Sequence, residues 1–294
     1  MMGVFEPGGG MVRPERTMHL ALKEAEEMYG ATVWENTKVK SLQEVHGQAG
    51  VSHVELIVGR SHGVLSTVTA RTVLVAAGAW TSELIPSWKP HLKPVRILQT
   101  WVDVSKTLDP SVYDSPNMPC VAMVNPYLRL PVYCLPADST STDSHGVDKH
   151  NKYKGCVKLG VHGGDPIDPN ANSNQDVTAK EQAEMILNLQ QTFCEEIASI
   201  IDPLLIKQLS HQYPFTPATL QDSVMESKPC MYTMTEDEHF MIGVPKGMSN
   251  VCAVAGLSGH GFKMTPALGQ MLADFATAKS DQERQAVFDE KWKA

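Results

Sequence analysis

The sequence predicts a mixed fold of the α+β and α/β classes, and three observations carry that prediction. The segment Pro14–Tyr29 places apolar residues at helical spacing and is followed by Gly30, which ends the helix. Runs rich in strand-forming residues dominate the middle of the chain, around residues 95–104 and 155–162. Residues 73–78 are apolar on both faces and end in glycine, which is typical of a short parallel strand that is buried on both sides.

The first third of the chain contains further local patterns. The stripe of helix 14–29 consists of Met18, Ala21, Leu22, Ala25 and Met28. We expect a strand at residues 31–39, and a hairpin formed by residues 51–58 and 63–70. Thr81 or Ser82 is expected to cap a short helix after the buried strand.

The rest of the chain is expected to alternate strands with two helices. Strands are predicted at residues 95–104, 128–135, 155–162, 223–235, 240–244 and 251–255. Residues 137–154 are rich in Ser, Thr, Asp, His and Lys and predict a long exposed loop. The helix predicted at residues 178–199 is expected to bury Ile186, Leu187, Leu189, Phe193 and Ile197. The final helix is expected to begin with Thr265 as N-cap and Pro266 at its first position, with Leu268, Met271, Leu272 and Phe275 on its apolar face.

Composition excludes several classes of partner. The 294 residues carry a net charge of −8, which argues against binding of nucleic acid or of an anionic membrane surface. No run of 18 or more apolar residues is present, and the N-terminus lacks the pattern of a secretory signal. The six cysteines form neither a CxxC pair nor a zinc-like spacing, so we expect free thiols, a reducing compartment and no metal site.

The strand predicted at residues 155–162 carries the first candidate site residues. Because side chains alternate across a strand, Lys158 and His162 share one face, and Val157, Leu159 and Val161 share the other. The simpler interpretation of the polar face is a solvated surface. The alternative is a cavity lined by an ammonium and an imidazole, with Gly160 leaving room for a ligand.

Three other segments do not indicate a functional site when each is taken alone. Tyr133 lies in a strand interrupted by Pro131 and is, by itself, an ordinary packing residue. Cys230, taken alone, is more often a small core residue than a nucleophile. The glycine-rich turn at residues 254–263, which runs into the final helix, predicts either a plain turn or a loop that binds an anion or an electron-rich ring edge.

These segments occur together and in an order that resembles one known family. The motif K-P-C-M-Y-T at residues 228–233, followed by D-E-H-F at 237–240, resembles the covalent-flavin segment of the monomeric sarcosine oxidase and L-pipecolate oxidase family. G-L-S-G-H-G-F-K at 256–263 and V-A-A-G-A-W at 75–80 resemble its flavin-contacting segments. The resemblance runs from Phe5 to about Ala278 and places the chain among FAD-dependent amine oxidoreductases of the D-amino acid oxidase-like superfamily.

The resemblance implies a role for each matching residue. Cys230 would bond through its sulfur to the flavin 8α carbon, Lys263 would hold the substrate carboxylate, and Lys158 would assist the reaction of reduced flavin with oxygen. The residues implied to line the substrate cavity are Tyr133, His162 and Tyr232. The residues implied to contact the cofactor, besides Cys230 and Lys263, are Gly78, Trp80, Gly259, Gly261 and Phe262.

The reaction implied by the family is the oxidation of a secondary amino acid, such as sarcosine or L-pipecolate, to an imine, with oxygen reduced to hydrogen peroxide. The expected partners are therefore a small N-substituted amino acid and molecular oxygen, and the protein is expected to be a monomer. The family implies a peroxisomal location, but the C-terminus lacks the SKL-type address, so the cytoplasm is otherwise expected.

The chain departs from the family pattern in its dinucleotide-binding part. No G-x-G-x-x-G lies between a strand and a helix, so we expect an incomplete, N-terminally truncated FAD-binding (Rossmann-like) domain beside a mixed or antiparallel-sheet substrate domain. The FAD-binding part is assigned to residues 1–30, 70–90 and 245–294, adjoining strands to 31–69, and the substrate domain to 91–244. Two alternatives stay open: a dehydrogenase relative that uses another electron acceptor, and a non-catalytic fragment that lacks FAD.

Overall fold

The computed structural model describes residues 4–47, 52–60, 63–105, 109–115, 117–123, 131–137, 153–171, 176–190 and 223–291. The chain divides into two compact units. The first comprises Met1–Thr17, Arg96–Asp165 and Asn170–Cys230, and the second comprises Met18–Val95, Pro166–Pro169 and Met231–Ala294. Assignment of cofactor-binding and substrate-binding domains to segments of the chain stays a prediction.

Helices and strands are interspersed along the chain, as the mixed fold class requires. The helices are α1 (Pro14–Tyr29), α2 (Thr81–Leu84), α3 (Ala179–Gln190), α4 (Thr265–Thr277) and α5 (Asp281–Ala286). The strands are β1 (Thr37–His46), β2 (Ser52–Arg60), β3 (Leu65–Ala70), β4 (Val73–Val75), β5 (Lys93–Asp103), β6 (Val121–Met123), β7 (Val132–Leu135), β8 (Cys156–Val161), β9 (Val224–Met234), β10 (Met241–Gly243) and β11 (Val251–Ala255). Open sheets and helices together confirm the predicted fold class.

The first unit is built on an open five-stranded sheet with the order β6-β7-β8-β5-β9. Strand β8 pairs antiparallel with both β7 and β5, so it lies inside the sheet. One face of the sheet packs into a hydrophobic core. The buried members of that core are Val102, Val104, Val132, Cys134, Ala137, Val157 and Leu159.

The second unit contains two three-stranded sheets. Strands β1, β2 and β3 form an antiparallel sheet, which confirms the hairpin predicted from residues 51–70. In the other sheet β11 pairs antiparallel with β10 and parallel with β4. The buried members of the second core are Val54, Val75, Ile85, Trp88, Leu92, Val251, Ala253 and Ala255.

A buried polar network fixes the start of β11 against the hairpin sheet. The side chain of Asn250, which is 2% exposed, donates to Glu44 Oε1 at 2.9 Å and to Ser52 Oγ at 2.5 Å. The other carboxylate oxygen of Glu44 accepts the backbone N–H of Asn250 at 3.0 Å. Because buried polar groups are costly when unpaired, this network specifies the position of β11.

Helix α1 has the predicted bounds and an exposed apolar stripe. Gly30 adopts φ +68° and donates its N–H to Glu26 O at 3.2 Å, which ends the helix in the way expected for a glycine after a C-terminus. No residue of α1 is buried, and Met18, Leu22 and Met28 are 56%, 47% and 72% exposed.

Two strand predictions near the N-terminus need correction. The strand expected at residues 31–39 begins only at Thr37, because Asn36 adopts φ +52° and forms a turn before it. The strand at 73–78 ends at Val75 and is parallel, as expected, but it is not buried on both sides. It lies at the edge of its sheet, and Leu74 is 41% exposed.

Two predicted helix caps are also wrong. The residue before α2 is Trp80 in a 3₁₀ turn, so Thr81 is the first helical residue and its buried hydroxyl caps nothing. Likewise, the 3₁₀ turn Phe262–Met264 leads into α4, and Thr265 donates its hydroxyl to Phe262 O at 2.8 Å. Helix α4 buries Leu268 and Phe275 as expected, but α5 and a π-helical turn follow it, so α4 is not the final helix.

Some expectations lie outside the described residues. These are most of the loop at 137–154, the part of the long helix beyond Gln190, and the start of the strand at 128–135. The side chains of Ile186, Leu187 and Leu189 are not described either. Within the described residues, no helix is long and apolar enough to cross a membrane. The same residues contain no cluster of three or more potential metal ligands.

Truncation of Phe275 should be among the most costly single changes in the second unit, because its ring is fully buried. We expect Phe275→Ala to lower the free energy of unfolding by about 3–5 kcal/mol, measured by urea denaturation. The matched control is Phe5→Ala, whose ring is 73% exposed and whose loss should cost less than about 0.5 kcal/mol. Equal losses in the two variants would contradict the core assignment.

Candidate active site

Strand β8 separates the core from the candidate site in the first unit. Val157 and Leu159 are 6% and 8% exposed and belong to the core, as the alternation of the sequence predicts. Lys158 is directed to the other face of the sheet and is half-buried. In the ladder it lies opposite Trp101 of β5 and Leu135 of β7.

Gly160 is required by a neighbouring side chain rather than by a ligand. It pairs with Tyr133 of β7, and a Cβ atom at Gly160 would collide with the phenol ring of that tyrosine. Gln99 donates its side-chain N–H to the Tyr133 hydroxyl at 3.4 Å. The room expected at Gly160 is therefore filled by Tyr133, which corrects the interpretation that the glycine leaves space for a ligand.

Lys158 has a charged environment that partly offsets its burial. Burial lowers the pKa of Lys158 below the ordinary lysine value of 10.5, whereas the electrostatic influence of Glu15 and Cys230 acts in the opposite direction. The ammonium also lies 5.2 Å from the centroid of the Trp101 ring, within the range of a cation–π contact. Lys158 of β8 and Cys230 of β9, two predicted site residues, belong to one sheet, in which β5 lies between their strands.

An aromatic pair that the sequence does not reveal also lies on this face of the sheet. Trp101 stacks on Tyr153 with ring centroids 4.3 Å apart and an interplanar angle of 16°. Tyr153 donates its hydroxyl to Glu226, and Glu226 pairs with Lys228 at 3.6 Å. The predicted strand at 95–104 contains Trp101, but its alternation does not reveal which residue of another strand lies opposite, so no local signal identifies this contact.

Among the five described cysteines, Cys230 is the best candidate for a nucleophile. None of them is in a disulfide, and Cys230 is partly exposed on β9. Burial raises the pKa of Cys134 and of Cys252 to about 12, and burial together with Asp103 raises that of Cys156 to about 11. Burial also raises the pKa of Cys120. Since the thiolate is the reactive form, these shifts argue against the other four cysteines.

In the second unit, a strained loop follows β11. Gly256, Ser258 and Gly259 all adopt positive φ, at +63°, +47° and +75°. Ser258 is fully buried; its N–H donates to Thr233 O at 3.0 Å, and its hydroxyl donates to Gly256 O at 3.1 Å. The hydroxyl of Ser258 also accepts the N–H of Thr235 at 3.3 Å, so the loop is fixed to the end of β9.

The end of this loop holds three predicted site residues. Gly261 is packed closely, since a Cβ atom there would lie 2.6 Å from Leu257 Cβ. Phe262 begins the 3₁₀ turn that precedes α4. Lys263 is exposed, and its ammonium donates to His260 O at 3.0 Å, within the same loop.

The remaining predicted residues occupy strand ends and turns. Gly78 follows β4 with φ +52°, and no atom of the described residues would lie within 4 Å of a Cβ placed there. Trp80 ends the same 3₁₀ turn and is 36% exposed. His162 directly follows β8 and donates its backbone N–H to Pro131 O at 2.7 Å, and Tyr232 lies two residues after Cys230 on β9.

The predicted site residues thus form two groups. The first unit contains Tyr133, Lys158, His162 and Cys230. The second unit contains Gly78, Trp80, Tyr232, Gly259, Gly261, Phe262 and Lys263.

Both groups fit a flavin chemically. The first unit offers the partly exposed thiol of Cys230 and the half-buried ammonium of Lys158 in one sheet, a nucleophile and a positive charge. The second unit offers a fixed glycine loop whose positive-φ backbone suits close approach of a ring edge. These observations fit the isoalloxazine part of FAD; the chain lacks the usual G-x-G-x-x-G turn for the ADP part.

Comparison with known proteins agrees with this chemistry. A family model described as FAD dependent oxidoreductase matches residues 1–275. Monomeric sarcosine oxidase from Bacillus sp. (strain NS-129) is 26% identical over 97% of this chain and 61% of its own length. Peroxisomal sarcosine oxidase from Mus musculus is 25% identical over 94% of this chain and 58% of its own length. The chain therefore spans about three fifths of the length of these curated relatives.

A solved structure shows the same fold. NikD, an unusual amino acid oxidase essential for nikkomycin biosynthesis, superposes with a TM-score of 0.55 at 17% identity. The match covers 90% of this chain and 57% of that chain.

The close contact between Gly160 and Tyr133 predicts a steric coupling. We expect Gly160→Ala to lower the free energy of unfolding by about 1–3 kcal/mol, because the new methyl group displaces the Tyr133 ring. In a double-mutant cycle with Tyr133→Ala most of that loss should disappear, since the colliding ring is gone. The control is Gly269→Ala in α4, where no described atom lies near and a gain of up to about 1 kcal/mol is expected. Additive losses in the cycle would refute the contact.

Proposed function

Because the chain belongs to the family of FAD dependent oxidoreductases, we propose that it oxidises a small secondary amino acid, such as sarcosine or L-pipecolate, to an imine. The amino acid loses two electrons and two protons, and molecular oxygen takes them up as hydrogen peroxide. Water then hydrolyses the imine. The observation that carries the proposal is the half-buried ammonium of Lys158 on β8, in the same sheet as the partly exposed thiol of Cys230 on β9.

FAD, when bound, supplies the acceptor for the hydride that leaves the carbon next to the substrate nitrogen. Cys230 is proposed to hold it by a thioether to the 8α carbon, because its sulfur is a partly exposed thiol of the sheet that also contains Lys158. The new S–C bond replaces one S–H and one C–H bond, and oxygen takes up the two hydrogens as hydrogen peroxide. The other residues proposed to hold the cofactor are Gly78, Trp80, Gly259, Gly261 and Phe262.

Lys158 is proposed to supply a fixed positive charge for the reaction with oxygen. Negative charge develops on oxygen as it is reduced, and an ammonium that is already in place stabilises that charge without rearrangement. Its half-buried position increases the effect, since charges interact more strongly where water is partly excluded.

Lys263 is proposed to bind the substrate carboxylate. An ammonium has three N–H donors, and one of them donates to His260 O, so two remain for the two carboxylate oxygens. Tyr133, His162 and Tyr232 are proposed to line the substrate cavity and to orient the amine.

The proposed partners are a small N-substituted amino acid and oxygen. The protein is proposed to be a monomer. The net charge of −8 supports the absence of a nucleic-acid partner. A peroxisomal location is also a proposal, and the name of the mouse relative supports it.

The attachment of flavin to Cys230 can be tested in the flavin-containing protein. We expect the purified protein to keep its yellow colour and flavin fluorescence in an acid precipitate, because a thioether survives denaturation. Cys230→Ser should release all of its flavin to the supernatant, whereas Cys120→Ser, which changes an exposed cysteine, should behave like the wild type. Flavin that stays with the Cys230→Ser precipitate would rule out this attachment.

The role of Lys158 can be tested by following oxygen consumption in the same protein. Lys158→Met should slow the reaction with oxygen about 10²- to 10³-fold, because the fixed charge is lost. Anaerobic bleaching of the flavin by substrate should change far less. Lys228→Met, which removes a neighbouring cation over the same indole, serves as the control and should have a small effect.

The pH dependence has a definite sign. Since burial lowers the pKa of Lys158, the oxygen reaction should decline with rising pH already below 10.5, and Lys158→Arg should remove that decline. Dye reduction without stoichiometric hydrogen peroxide would instead support a dehydrogenase that uses another acceptor.

A further inference from the structure

Trp101 lies directly opposite Lys158 in the central ladder of the first unit. The two residues are cross-strand partners of the antiparallel pair β5–β8. Their side chains share the face of the sheet that does not pack into the core, and the Lys158 Nζ lies 5.2 Å from the centroid of the Trp101 ring. That distance is within the roughly 6 Å over which the face of an indole attracts a cation.

The indole of Trp101 is itself held in place. Its ring stacks on Tyr153 at a centroid distance of 4.3 Å, and the Tyr153 hydroxyl donates to Glu226. Glu226 is in turn paired with Lys228 at 3.6 Å. Stacking on Tyr153 fixes the orientation of the indole. The ring face that attracts the Lys158 ammonium is therefore already oriented before the cation–π contact forms.

Lys158 needs such a partner because burial disfavours its charged form. Glu15 and Cys230 favour the ammonium, and the quadrupole of an aromatic ring acts in the same direction. Lys228 is another cation near the same indole, at 5.9 Å from the ring centroid, and its charge is paired with Glu226. Described titratable groups that interact with Lys158 or with its indole include Glu15, Tyr153, Lys228 and Cys230, and Glu226 pairs with Lys228.

We propose that Trp101 is a positioning residue, whose indole holds the Lys158 ammonium in its charged form. The inference rests on the proposed function, in which Lys158 is the cation that serves the reaction with oxygen. Trp101 acts through Lys158 and is not assigned a contact with substrate or cofactor. Replacing the indole with an aliphatic side chain would leave the strand in place and remove the ring face that the ammonium contacts.

The direct test is the titration of Lys158 in the 294-residue chain, which requires no flavin. Lysines labelled by reductive ¹³C-methylation give separate NMR signals, and the signal of Lys158 is identified by its loss in Lys158→Met. In Trp101→Leu the ratio of charged to neutral Lys158 at a fixed pH should fall about two- to fivefold. Trp101→Phe, which keeps an aromatic face, should restore part of that ratio.

A second cation–π contact in the chain provides the matched control. Trp34 lies under Arg60, with 5.4 Å between the guanidinium carbon and the ring centroid, and both residues belong to the second unit. Trp34→Leu removes an indole of the same kind and should leave the Lys158 titration unchanged. A shift of equal size in Trp34→Leu would show a general effect of tryptophan loss and would overturn the proposal.

The outcome in Trp101→Leu decides the inference. If circular dichroism shows the wild-type fold and Lys158 titrates as in the wild type, Trp101 does not position it. Should that variant not fold, Tyr153→Leu carries the test, because it removes the stack that orients the indole and leaves β5 unchanged. It should shift the titration in the same direction, and an unchanged titration would again overturn the proposal.

The kinetic measurement separates this inference from the proposed function. If the Lys158 titration shifts in Trp101→Leu and the oxygen reaction of the flavin-containing protein slows with it, both stand. If the titration shifts but the oxygen reaction is unchanged in both Trp101→Leu and Lys158→Met, positioning by Trp101 stands and the oxidase role of Lys158 fails. If Lys158→Met slows the oxygen reaction but the titration is unaffected by Trp101→Leu, the positioning role alone fails.

Discussion

The register of strand β8 constrains everything else in the first unit. Val157 and Leu159 must face the core, because their side chains supply part of its buried apolar surface. A slip of one residue would carry the Lys158 ammonium into that core and expose both apolar side chains. The hydrophobic core therefore determines on which face the ammonium lies, and with it which residues of β5 and β7 can meet it.

The same register places Lys158 where partial burial affects both its charge state and the strength of its electrostatic field. A lysine at the surface would keep its charge easily but would act on its surroundings through water, which weakens its field. At Lys158 water is partly excluded, so the ammonium is harder to keep charged and more effective when charged. Glu15, Cys230 and Trp101 all favour the charged state, and they reach Lys158 from different parts of the sequence.

Short sequence patterns were sufficient to predict several helices and strands. The bounds of α1 and β11, the hairpin of β2 and β3, and the two faces of β8 follow from periodicity and glycine positions. The turn at Asn36 was missed because asparagine tolerates a positive φ without requiring it, and the 3₁₀ turn before Thr265 was missed because no residue type marks it. The candidate site residues came from motifs, but the contacts of Gly160 with Tyr133 and of Trp101 with Tyr153 join distant residues and require the three-dimensional register.

The loop after β11 has an energetic consequence for any ligand that contacts it. Ser258 holds an unfavourable left-handed backbone conformation, which a non-glycine residue adopts only where its surroundings require it. Hydrogen bonds to Thr233, Thr235 and Gly256 supply that requirement before a ligand arrives. The loss of conformational entropy that usually weakens binding to a flexible loop has therefore already occurred during folding, so contacts to this backbone would contribute more of their free energy to affinity.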